Sequence, residues 1–81
     1  MNAVAIKDLV PLSSVNQLTC VHINEIHVQH KLQLKLLSIG VGVGSALEML
    51  RNRSGDVVFA LGNNRISLGK NIAQKLMVSA Q

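Results

Sequence analysis

The side chains best suited to chemistry in this chain gather between positions 20 and 30: Cys20, His22, Glu25, His27 and His30. Thiolate and imidazole suit iron, zinc or nickel, and a carboxylate adds a harder oxygen donor. Residues 17–28, QLTCVHINEIHV, are rich in β-branched side chains and predict a strand with a bend near Asn24 and Glu25. Alternation then puts Leu18, Cys20 and His22 on one face and Thr19, Val21 and Ile23 on the other. Cys20 and His22 are therefore the pair able to share a metal ion. On an unbroken pleat Glu25 and His27 point the opposite way, and only a bulge near Asn24 would bring His27 round. His30 falls at the start of the next element, where water solvates it. No four-ligand spacing such as C-x-x-C or H-x-x-x-H occurs. The expectation is weak Fe(II) or Zn(II) binding through Cys20 and His22 at most, with no resident cofactor.

Other chemistries find less support. The acids Asp8, Glu25, Glu48 and Asp56 are scattered, and no serine stands in a nucleophile-elbow motif. Cys20 and His22 lack an orienting third group or an oxyanion donor. Catalysis is not expected. Gly40, Gly42 and Gly44 do not follow G-x-G-x-x-G, and no G-K-[ST] comes after them. They also follow a helical pattern and precede a strand, the reverse of a phosphate-cradling loop, so they serve as structural punctuation.

These residues need a frame. Residues 7–12, with Pro11, fit a short helical turn or loop anchored by Leu9 and Leu12, after a loosely held lead-in over residues 1–6. Gln29 to Ile39 predicts a helix with Leu32, Leu36 and Ile39 on one stripe, ended by Gly40. Ala46 to Asn52 and Val57 to Leu61 read as a hairpin closed by Arg53-Ser54-Gly55-Asp56. Gly62-Asn63-Asn64 makes the next turn. A short strand at Arg65 to Leu68, a helical turn at Gly69 to Lys75 with Ile72 inward, and a last strand at Leu76 to Val78 complete the chain. Five short strands with a helix inserted after the first long one predict a mainly β fold, a small and strongly bent barrel.

Composition narrows the function. At 81 residues the chain is expected to form one small domain over 1–81, and 48% of it is apolar with a mean hydropathy of +0.34. Some aliphatic surface must stay exposed, which favours a partner or self-association. Phe59 is the sole aromatic residue, so neither a base-stacking platform nor an aromatic groove for proline-rich peptides can be built. The net charge of +4 is spread without a basic run, which favours an acidic protein partner over nucleic acid. One cysteine suits a reducing cytosol, the N-terminus MNAVAIKDLV lacks a secretory pattern, and the apolar window at residues 36–47 is too short to span a bilayer. A cytoplasmic protein is expected. Its best candidate contact surface is the helix and the loop after it: Leu34, Lys35, Leu37, Val41 and Val43.

The order of these pieces resembles the FeoA family, ferrous iron transport protein A. Lys35, Leu36, Ile39, Gly40, Val41 and Gly44 fall on the family's R-L-x-x-L-G-φ-x-x-G motif, where φ is apolar and Lys35 replaces the arginine. Gly55 and Asp56 fall on its hairpin turn, and Ile66, Leu68, Ala73, Leu76 and Val78 on its C-terminal pattern. The chain departs at Val43, where a proline is usual, at Gly69, where an arginine is usual, and near Val15 and Asn16, where an early glycine is missing. The resemblance implies an SH3-like small β-barrel that docks on the cytosolic part of FeoB, the ferrous-iron permease, without transporting iron itself. It implies, as the alternative, a metal-responsive interaction module like the domain fused to iron-dependent repressors.

Overall fold

A computed structural model describes residues 8–80; the expected lead-in over residues 1–6 lies outside them. Six strands form one antiparallel sheet: β1 Val10–Pro11, β2 Cys20–Ile26, β3 Ala46–Arg53, β4 Asp56–Leu61, β5 Asn64–Leu68 and β6 Leu76–Ala80. The order is β1-β6-β2-β3-β4-β5, so β1 and β5 are the two edges and the SH3-like sheet bends without closing. The expected five strands become six because Val10 and Pro11 pair with Val78 and Met77. Pro11 is tolerated there because an edge strand need not use its N–H for the ladder.

Two bulges bend the sheet round its core. In β2 the register with β6 shifts between Ile23 and Glu25, leaving Asn24 unpaired in the ladder. In β3 the register with β4 shifts between Met49 and Arg51, leaving Leu50 in the same position. An extra residue raises the local twist and reverses which face the following side chains use. Thus Ile23 and Ile26 both turn toward the core side, as do Met49 and Asn52. The bulged Asn24 is held by the buried Ser79, whose hydroxyl donates to Asn24 Oδ1 at 2.7 Å.

The concave side is filled by Leu12, Val21, Ile23, Met49, Val57, Phe59, Leu76 and Val78, with Leu36 and Val41 closing it. Each such side chain contributes roughly 1.5–3 kcal/mol by leaving water. Leu12 opens a 3-10 turn, Leu12–Ser14, and Asn52 fastens that turn to the hairpin. The Asn52 amide donates to Ser13 O at 2.9 Å and Val15 O at 2.8 Å, while its Oδ1 accepts from Gly55 N at 2.9 Å.

The helix α1 spans His30–Ser38 and ends as a Schellman motif. Gly40 N donates to Leu37 O and Val41 N to Leu36 O, with Gly40 at φ +92°. Only a residue without a Cβ takes that backbone angle without strain. The short α2, Lys70–Ala73, buries Ala73, while Ile72 is half-buried beside the core. Its first N–H is taken by the turn aspartate, Asp56 Oδ1, at 2.8 Å from Lys70 N.

Candidate docking surface

The helix end decides which apolar residues face water. Ile39, expected inward on the stripe with Leu32 and Leu36, is 46% exposed. It is the C-cap, with φ −104° and ψ 12°, so the chain has already left the helical spiral and the side chain leaves the stripe. Val41, expected at the contact surface, is fully buried. It stands two residues past the cap, where the Schellman geometry folds its side chain back beside Leu36 to complete the core. Those two positions exchange roles.

The other contact candidates lie where the pattern placed them. Leu34 is 54% exposed, Leu37 61% and Val43 70%, and Lys35 is exposed in the last turn of α1. Ile26, Leu34, Leu37, Gly42 and Val43 line one shallow groove of about 340 Å³ between the helix and the glycine loop. Gly42 is where the two walls meet: a Cβ on it would stand 3.0 Å from Leu37 Cδ1. The loop is built rather than open. Gly44 N donates to Ile23 O and Ile23 N to Ser45 O, tying it to β2. The Ser45 hydroxyl accepts from Gly42 N at 3.0 Å and donates to Gly40 O at 2.8 Å, bridging the loop across its mouth. The role of Ser45 was missed from sequence, although a hydroxyl at the end of a glycine run is the signal for such a bridge. Gln33 secures the floor, its Nε2 donating to Val28 O at 3.1 Å.

The metal candidates stand elsewhere. Cys20 is exposed and His22 half-buried, both on the outer face of β2. The bulge at Asn24 does occur, and it brings Glu25 and His27 to the solvent side of the sheet. There they satisfy each other: His27 Nε2 and Glu25 Oε1 are 2.7 Å apart in a solvent-exposed pair of small energetic weight. Among the described residues no group of three or more His, Cys, Asp and Glu side chains is placed to hold an ion. The donor set at Cys20 and His22 therefore falls short of the three or four protein ligands of a firm transition-metal site. Among the same residues no helix is long and apolar enough to cross a membrane.

The family model described as the FeoA domain matches residues 10–80. Over 44 residues the chain is 36% identical to a candidate Fe(2+) transport protein A of Methanocaldococcus jannaschii, covering 54% of either chain. It thus spans about half the length of the curated relative it matches. In three dimensions it is similar to a crystal structure of the iron uptake regulatory protein FeoA, with 27% identity and a TM-score of 0.83 over 91% of this chain and 100% of that one. The solution structure of iron(II) transport protein A from Clostridium thermocellum gives 27% identity and a TM-score of 0.78, over 88% of this chain and 45% of that one. A manganese-dependent transcriptional repressor shares the fold, with a TM-score of 0.83 at 21% identity, over 96% of this chain and 45% of the repressor. With the family model running from the first strand to the last, this chain belongs to the FeoA domain family.

Proposed function

We propose that this chain is a cytoplasmic accessory protein of ferrous-iron uptake that docks on the cytosolic part of a FeoB-like permease. The observation that carries the reading is the groove between α1 and the glycine loop, where three apolar side chains, Leu34, Leu37 and Val43, stand together, each more than half exposed. Family membership supports the iron-uptake setting, and the relatives named for iron transport and its regulation point the same way. The contact set is Leu34, Lys35, Leu37 and Val43, with Val41 supporting the loop from beneath. Its action is regulatory: reversible docking, with no bond made or broken. Iron passes through the partner rather than resting on this protein. A metal-responsive role would need Cys20 and His22 to bind an ion unaided.

The test is a titration of isotope-labelled protein with the purified cytosolic domain of the permease, recording amide shifts. Shifts are expected at residues 31–45, and Leu37→Glu or Val43→Asp should abolish binding while circular dichroism stays native. Undiminished affinity in either folded variant would overturn the surface.

A further inference from the structure

A second face of the sheet is organised for a different kind of ligand. The register pairs Glu48 with Ala60 and Ala60 with Arg65, Arg51 with Val58 and Val58 with Ser67, and Arg53 with Asp56. Paired residues share a face, so Arg51, Arg53 and Arg65 all stand on the convex side of β3, β4 and β5. The bulge at Leu50 is what puts Arg51 there. On an unbroken strand Arg51 would share the face of Met49, which is fully buried. All three arginines are exposed, and two shallow grooves join them through Arg51 and Val58. One, of about 380 Å³, runs between Arg51 and Arg65 over Leu50 and Val58. The other, of about 300 Å³, continues past Arg53 toward Ser67.

These cations are not spent inside the molecule. The ion pair among the described residues is His27 with Glu25, on another part of the sheet. Asp56, beside Arg53, accepts the Lys70 N–H on its Oδ1. The three guanidinium groups, none of them in an ion pair among the described residues, repel one another and are suited to bidentate carboxylates or phosphates. Two further features separate those ligands. Val58 offers a half-buried apolar floor between the arginines, and Glu48 and Asp56 stand at opposite ends of the patch. A uniformly anionic surface, whether bilayer or nucleic-acid backbone, would meet repulsion at both ends. A short peptide with acids flanking an apolar residue meets neither.

We infer that the convex face of β3–β5 binds an acidic segment of a protein partner, with its carboxylates on Arg51, Arg53 and Arg65 and an apolar side chain on Val58. The site is separate from the groove beside α1 and stands whether or not that groove binds the permease.

The experiment uses the whole chain and a blocked peptide with the core Glu-Leu-Glu-Leu-Glu. Amide shifts should cluster on β3, β4 and β5, and affinity should fall as salt rises. The double variant Arg51→Gln, Arg65→Gln should bind at least about tenfold more weakly, since each removes a charge-assisted contact. Lys75→Gln, which removes one exposed charge from outside both surfaces, should leave affinity unchanged. The Gln-for-Glu peptide should not bind. The proposal is overturned if the acidic peptide does not bind, if the Gln peptide binds equally, if Lys75→Gln weakens binding as much as the double variant, or if shifts fall on α1. It is overturned in favour of a lipid ligand if vesicles of phosphatidylglycerol in phosphatidylcholine bind through these arginines and the peptide does not.

Discussion

Leu18 holds a left-handed backbone, φ +66°, while its side chain is 73% exposed. A side chain in that region costs about 1–2 kcal/mol, and no burial offsets it here. The turn exists because Leu18 N donates to Met49 O, steering the chain into β2. Leu18→Gly should therefore stabilise the protein by about 0.5–1 kcal/mol, the relief of strain less the added freedom of the unfolded chain. Urea unfolding followed by circular dichroism measures it, and an unchanged or lower midpoint would show that the leucine makes a compensating contact. At this scale the sequence was readable where a side chain's partner is local. Alternation along β2 correctly put Val21 and Ile23 on one shared face, and that face is the one the core covers. It could not place Ile39 and Val41, because their exchange depends on how the helix ends rather than on its periodicity. Nor did spacing reveal Asn52, whose carbonyl partners Ser13 and Val15 lie more than thirty residues away in sequence.

The elements were more legible than their bends. The helix, both hairpins and the final strand follow from apolar period and turn chemistry, and their ends differ from expectation by one or two residues. The bulges are another matter. Asn24 and Glu25, two adjacent polar residues between Ile23 and Ile26, gave a hint, whereas Leu50 gave none, since an extra leucine in a strand looks like any other core residue. The break at Gly40 is the element-scale feature on which the groove beside α1 depends. Its φ of +92° and a neighbour, Leu61 Cδ2, 3.2 Å from where a Cβ would stand, make any side chain unwelcome. Gly40→Ala should lower stability by about 1–2 kcal/mol and loosen Val41 from its place beside Leu36. Unfolding midpoints measure the first effect. Hydrogen exchange at the Gly40 and Val41 amides, which close the motif onto Leu37 and Leu36, measures the second. Unchanged protection in the variant would mean that the loop, with its Ser45 bridge, holds the helix end without the glycine.

At the scale of the molecule, two surfaces share one thin core. The concave side of the sheet packs against α1 and the 3-10 turn, and the convex side of β3–β5 is open, so each proposed binding face is only one layer from the same interior. That interior is aliphatic except for Phe59, which is fully buried and pairs across to Met49 on β3 and Ile66 on β5. Its position at the middle of β4 seats it between β3 and β5 on the face that the core fills. A chain of this length has a total stability of roughly 4–12 kcal/mol, and truncating a buried phenylalanine costs about 3–5 kcal/mol. Phe59→Ala should therefore remove at least about a quarter of that stability and lower the unfolding midpoint markedly, whereas Phe59→Leu, which keeps most of the volume, should cost about 1–2 kcal/mol. Without tryptophan or tyrosine the transition must be followed by far-ultraviolet circular dichroism or calorimetry rather than intrinsic emission. A cooperative Phe59→Ala transition close to that of the unaltered chain would mean that the sheet can collapse onto the cavity, and that the two faces are held by their hairpins more than by their common core.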